Sequence, residues 1–184
     1  MLVLALVALA PSPVVPQTLD LPASQCKRNW STARGGSCVW ATLMTLSRWT
    51  NRAQLERLPQ VTGGGATANM VRTVMNRHFP KVDYVIHEKG DVRFLDKAMR
   101  NRYGAGVTWG GAHFVTLVHL DAQRAGIVDN NRPNRVIWQS RNAFVQEWRR
   151  RGGWSVVIVG PPPPPRRRPR SLVTPRYIDP IYIG

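Results

Sequence analysis

Cysteine, acidic residues and histidine are all scarce in this chain of 184 residues, and each scarcity closes off a class of chemistry. Two cysteines, Cys26 and Cys38, can form one disulfide at most, not the dense framework of a small cross-linked domain. Neither a Cys-x-x-Cys pair nor a His-x-x-x-His pair is present, so a zinc site has no ligands to start from and no metal is expected. No glycine loop leads into Lys-Ser or Lys-Thr, so nucleotide phosphates have no P-loop, and no organic cofactor is expected. Only 10 Asp and Glu oppose 26 Lys and Arg, giving a formal net charge of +16. That excess favours contact with polyanions and has no bearing on the fold.

What is present suffices for one hydrophobic core, since 43% of residues are hydrophobic and seven are Trp. One domain with two tails is expected, and a monomer. Residues 1–10 (MLVLALVALA) form an apolar run of signal-peptide length, too short to span a bilayer as a helix. Secretion or membrane association through this segment is expected; an N-terminal strand is the alternative reading, because no Lys or Arg precedes the run and Pro11 follows its Ala-Leu-Ala end. Residues 11–23 read as a proline-rich linker and residues 24–159 as the domain. Residues 160–184 carry five consecutive prolines and then Arg166, Arg167, Arg168 and Arg170. Five prolines make a stiff polyproline II rod, and this tail lacks the apolar surface to fold alone. Its arginines are candidates for polyanion contact, with no specific nucleic-acid reader in view.

Within the domain, Trp40, Leu43, Leu46 and Trp49 recur at helical spacing from Cys38 onward, predicting a helix over residues 38–51. Further helices are expected over 66–78, with Met70, Val74 and Met75 inward, over 92–102 after an Asp91 cap, and after a Ser140 cap with Phe144, Val145 and Trp148. Strands are expected at 82–87, 106–109, 113–120 and 125–128, an edge strand at 136–138 and a closing strand at 154–159. Residues 113–120 and 125–128 read as an antiparallel hairpin.

Chemistry enters through three positions at element ends. Cys38 opens a helix, where backbone N–H groups and the helix dipole favour a thiolate, and Gly35-Gly36 before it leave the chain free to turn. His113 opens a strand, and Asp129 ends the strand paired with it. Adjacent strand ends can hold a carboxylate against an imidazole while the imidazole faces a thiol, the arrangement of a nucleophile, base and orienting group. A buried Cys or a core His would each be commonplace alone; their order with Asp129 favours catalysis.

The block Gly36-Ser37-Cys38-Val39-Trp40-Ala41 resembles the Gly-Ser-Cys-Trp-Ala block of papain-like cysteine peptidases, with Val39 inserted. Residues 112–118 (AHFVTLV), Gly126-Ile127-Val128-Asp129 and Ser140-Arg-Asn-Ala-Phe144 with Trp148 are more similar to the double-glycine-leader (bacteriocin-processing) peptidases. The resemblance spans residues 25–159. It implies an α+β papain-like fold, with the catalytic cysteine starting a helix in a helical half and an antiparallel sheet in the other. It implies a protein or peptide substrate and catalysis by Cys38, His113 and Asp129, or Asn130 in place of Asp129.

Two departures stand out. The glutamine usually found six residues before the cysteine is Thr32 here. An amide donor must then come from elsewhere to hold the tetrahedral oxyanion, and loss of such a donor costs about 100-fold or more in rate; Asn29 is the first candidate and Gln25 the second. Asn130 also stands where the double-glycine families carry Pro after the Asp. His119 is expected to be structural, His78 and His87 to be surface residues, and Cys26 to be a second, unbridged thiol on the approach loop. The alternatives to a peptidase are a transglutaminase-like acyltransferase and a catalytically silent papain-fold binding module whose tail docks on a polyanion or partner.

Overall fold

The computed structural model describes residues 19–164. The expectations for residues 1–10, for most of the linker, and for Arg166, Arg167, Arg168 and Arg170 lie outside these residues. Among the described residues the architecture is α+β, with five α-helices, a six-stranded antiparallel sheet and a separate two-stranded hairpin.

The hairpin pairs β1 (Ser31–Thr32) with β2 (Gly35–Gly36) immediately before α1 (Cys38–Trp49). The large sheet has the order β3 (Tyr84–His87), β8 (Ser155–Ile158), β4 (Ala105–Trp109), β5 (His113–Leu120), β6 (Arg124–Val128), β7 (Val136–Ser140). β4 to β7 form a sequential meander, and β8 returns to insert between β3 and β4. The closing strand is therefore interior. All four residues of β8 are buried, as expected of an apolar run covered on both faces.

Alternation along the strands divides the core in two. Val156, Ile158 and Phe114 pack with α1, and with Val71 and Met75 of α3 (Ala68–His78). On the opposite face, Val107, Val115, Leu117, Ile127 and Val157 pack with α4 (Val92–Arg100) and α5 (Arg141–Arg150). α1 is buried at every residue but Arg48, because the sheet covers one side and Leu55 and Leu58 the other. Leu58 begins α2 (Leu58–Val61), which follows a 3-10 segment, Ala53–Arg57; neither was anticipated.

The caps behave as their residue types dictate. The Asp91 side chain accepts from Arg93 N–H, and Ser140 Oγ accepts from Ala143 N–H at 3.2 Å. In α3 the inward stripe is Ala68, Val71 and Met75, with Val74 partly buried beside it; Met75 and Val74 face inward as expected, whereas Met70 is 48% exposed and Val71 takes its place. The packed region also exceeds residues 24–159. Leu19 N–H donates to Val118 O at 2.8 Å and its side chain is buried; at the other end Arg102 Nη1 donates to Pro163 O at 2.5 Å. Pro163 shares a small cavity with Trp49 and Arg102, at the C-terminal end of α1.

Candidate active site

The site lies at a break in the sheet. β5 pairs with β4 from His113 onward, but with β6 only from Thr116, opposite Val128. The first residues of β5 thus have a strand neighbour on one side only. Backbone groups in such a gap need other partners. The N-terminus of α1 and the residues after β6 supply them.

His113 stands at the start of β5, and its Nε2 lies 2.8 Å from Asp129 Oδ1, just past the end of β6. Asp129 Oδ1 also accepts from Asn131 N–H at 2.8 Å, which fixes the carboxylate. With Nε2 engaged there, Nδ1 is the ring nitrogen left to serve Cys38, and the imidazole is close enough to shift the titration of that thiol. Side-chain exposure is 20% for His113 and 14% for Asp129, and Cys38 is 9% exposed. The three groups are therefore largely withdrawn from water while remaining reachable.

Burial by itself would push the Cys38 thiol up. The hydrogen bond and charge of His113, together with N–H groups of Phe114 and Val39, outweigh burial and hold the thiol below its ordinary value. His113 moves the opposite way: the Cys38 hydrogen bond raises it, burial opposes, and the Asp129 hydrogen bond and charge raise it further. Both shifts favour a thiolate beside an imidazolium. The start of α1 contributes as well, because Ser37 makes no capping bond to the helix. Its hydroxyl instead donates toward Trp30 O at 2.8 Å and Asn29 Oδ1 at 2.9 Å. The first-turn N–H groups are left to face negative charge.

Asn29 is adjacent to this arrangement. Its Oδ1 accepts from Ser37 N–H at 2.8 Å, and its Nδ2 donates to Asn131 Oδ1 at 3.2 Å. A Cβ at Gly36 would meet Asn29 Nδ2 at 3.3 Å, so the missing side chain at Gly36 lets the amide come close to the start of α1. A cleft of about 460 Å³ lined by Lys27, Arg28, Asn29, Trp30 and Pro59 opens on the same side. Gln25 is elsewhere: its carbonyl accepts from Arg48 at 3.4 Å, and it lines the cavity beside Trp49 and Arg102. The chain before the hairpin runs antiparallel to α1, which carries Gln25 to the wrong end for an oxyanion. Thr32 is spent within the hairpin region, its hydroxyl bonded to Gly35 O and Gly63 O.

Asn130 does not reach His113. It is 3% exposed, and its Nδ2 lies 2.9 Å from Cys38 O, 2.9 Å from Phe114 O and 3.2 Å from Thr42 Oγ1. Asn131, which the run Asp129-Asn130-Asn131 offered as a third candidate behind the two ranked ones, takes a place beside the imidazole, its Nδ2 3.4 Å from His113 Nε2. The only signal for it was the polar run Asp129-Asn130-Asn131 ending an apolar strand.

Cys26 is free and buried, like Cys38, but lies at the Arg48 end of α1. Burial pushes its thiol up to about 11 against the opposing charge of Arg48, so it is inert at neutral pH. It is not on the approach to Cys38. His119 is fully buried, its Nε2 2.9 Å from Asp121 Oδ2, and His87 stacks on Phe94.

Comparison with family models, curated proteins and solved structures returns no match to this chain. Among the described residues, no group of three His, Cys, Asp or Glu side chains is arranged to hold a metal ion, and no helix is long and apolar enough to cross a membrane.

Proposed function

We propose that the protein is a papain-like cysteine peptidase, a thiol hydrolase of peptide or isopeptide bonds. The observation that carries this reading is His113 held between the Cys38 thiol and the Asp129 carboxylate, with opposite pKa shifts on thiol and imidazole. Cys38 thiolate attacks the substrate carbonyl carbon, and the C–N bond breaks as His113 passes its proton to the leaving amine. His113 then takes a proton from water, whose oxygen attacks the thioester; the acid is released and the thiolate restored. Asp129 keeps the ring oriented throughout. The Cys38 N–H and the second N–H of Asn29 Nδ2, whose first donates to Asn131 Oδ1, are the proposed oxyanion donors.

The test uses both cysteines of one chain. Fluorescent iodoacetamide at neutral pH is expected to label Cys38 much faster than Cys26, and His113→Ala to remove most of the difference. Hydrolysis of a mixed fluorogenic peptide library is expected to vanish in Cys38→Ala. Equal labelling of both thiols, unaffected by His113→Ala, would sink the enzyme reading and leave a binding module.

A further inference from the structure

Resting on the peptidase reading, the geometry points to Asn130 as a positioning residue, a staple whose one amide nitrogen holds the nucleophile's helix against the base's strand. Its two Nδ2 protons face Cys38 O and Phe114 O, each at 2.9 Å. The first belongs to the residue carrying the thiol. The second belongs to the residue after His113, whose N–H helps hold that thiol down. The C=O of Phe114 faces the gap left where β6 ends and finds its partner in Asn130.

Three features separate this from ordinary core packing. Asn130 is buried, and its Oδ1 has no hydrogen-bond partner among the described residues. An orphaned buried acceptor costs stability, so an apolar residue would suit a purely packing role better. Thr42 Oγ1, one helical turn along from Cys38, lies 3.2 Å from the same nitrogen, which fixes how far the first turn of α1 stands from β5. Finally, Asp129 and Asn130 are neighbours in sequence with opposite tasks: one side chain turns outward to orient the imidazole, the next turns inward to set how near the thiol comes to it.

The experiment follows iodoacetamide modification of Cys38 in the full chain as a function of pH, with Cys26 in the same sample as an internal report of unfolding. For Asn130→Ala we expect Cys38 to react at least about tenfold more slowly at pH 6, with the acid limb of the profile displaced to higher pH. Cys26 should remain protected. Asn130→Asp, equal in shape but without donors when ionised, should behave alike at neutral pH. A folded variant that keeps the wild-type limb overturns the proposal. Labelling of Cys26 in both variants also overturns it, because Asn130 would then serve the whole fold rather than the site. If wild-type Cys38 reacts no faster than Cys26, it is the peptidase reading itself that fails.

Discussion

Replacing Asp129 by Asn keeps an oxygen that can accept from His113 and from Asn131 N–H, and removes only a charge. The imidazolium–carboxylate attraction lost can be bracketed. For unit charges about 4 Å apart it is roughly 1 kcal/mol in water and roughly 4 kcal/mol at the effective dielectric of a protein surface. With the two side chains 20% and 14% exposed, the pair falls between these limits, so the imidazolium form of His113 should be disfavoured by about fivefold or more. The sign follows from the shifts. The lowered Cys38 pKa extends the thiolate to lower pH and the raised His113 pKa extends the imidazolium to higher pH, so both shifts move the pair toward its ionised form. Asp129→Asn removes part of what raises His113, so the imidazolium is lost at lower pH. Two reagents of nearly equal size read it: iodoacetamide reports thiolate alone, whereas anionic iodoacetate is also drawn by the imidazolium. Their rate ratio should fall as pH rises through the His113 titration, and fall at lower pH in Asp129→Asn. An unchanged midpoint in the folded variant would show that Asp129 does not tune His113.

Two predictions concern the frame around the site. Trp148 is fully buried and its Nε1 donates to Trp154 O at 2.9 Å, so Trp148→Ala should cost about 3–5 kcal/mol, read as a lower urea midpoint; a midpoint unchanged from wild type would refute this packing. Burial would raise the Asp121 carboxyl, but bonds from Arg124 N–H, His119 and Gln123 N–H hold it down at about 2. It therefore contributes stability that is complete above the ordinary value of about 3.9 and is lost as pH falls toward 2. Asp121→Asn should flatten the fall of the urea midpoint between about pH 4 and 2, and a slope equal to wild type would remove Asp121 from the acid response.

Cys38, His113 and Asp129 could be found in the sequence because each sits at an element boundary that local signals mark: a Gly-Gly turn, a β-rich run and the end of an apolar strand. The structure brings these three together. Local pattern could not say which way neighbouring polar side chains turn once a strand has ended, so only the gap beside Phe114 shows Asn130 turned away from His113 and Asn131 turned toward it. Asn29 ranked ahead of Gln25 as a donor by sequence, but sequence distance alone left both in reach. The antiparallel run along α1 separates them by most of the helix. In α3, Met70 and Val71 compete for the inward stripe, and helical periodicity tolerates either until tertiary contacts choose Val71. The interior place of β8 depends on a non-local pairing with β3 and β4 that no short window encodes.

The placement of the two thiols has a consequence for oxidative chemistry. Helix α1, 12 residues and roughly 18 Å long, lies between Cys38 at its first turn and Cys26 beside Arg48 at its last. Bridging needs Cα atoms within about 7 Å, so the folded chain cannot close a disulfide on itself. An oxidant that converts Cys38 to a sulfenic acid therefore meets no resolving thiol within the protein. Recovery depends on a small thiol or a second protein arriving from outside, and the alternative is further, irreversible oxidation.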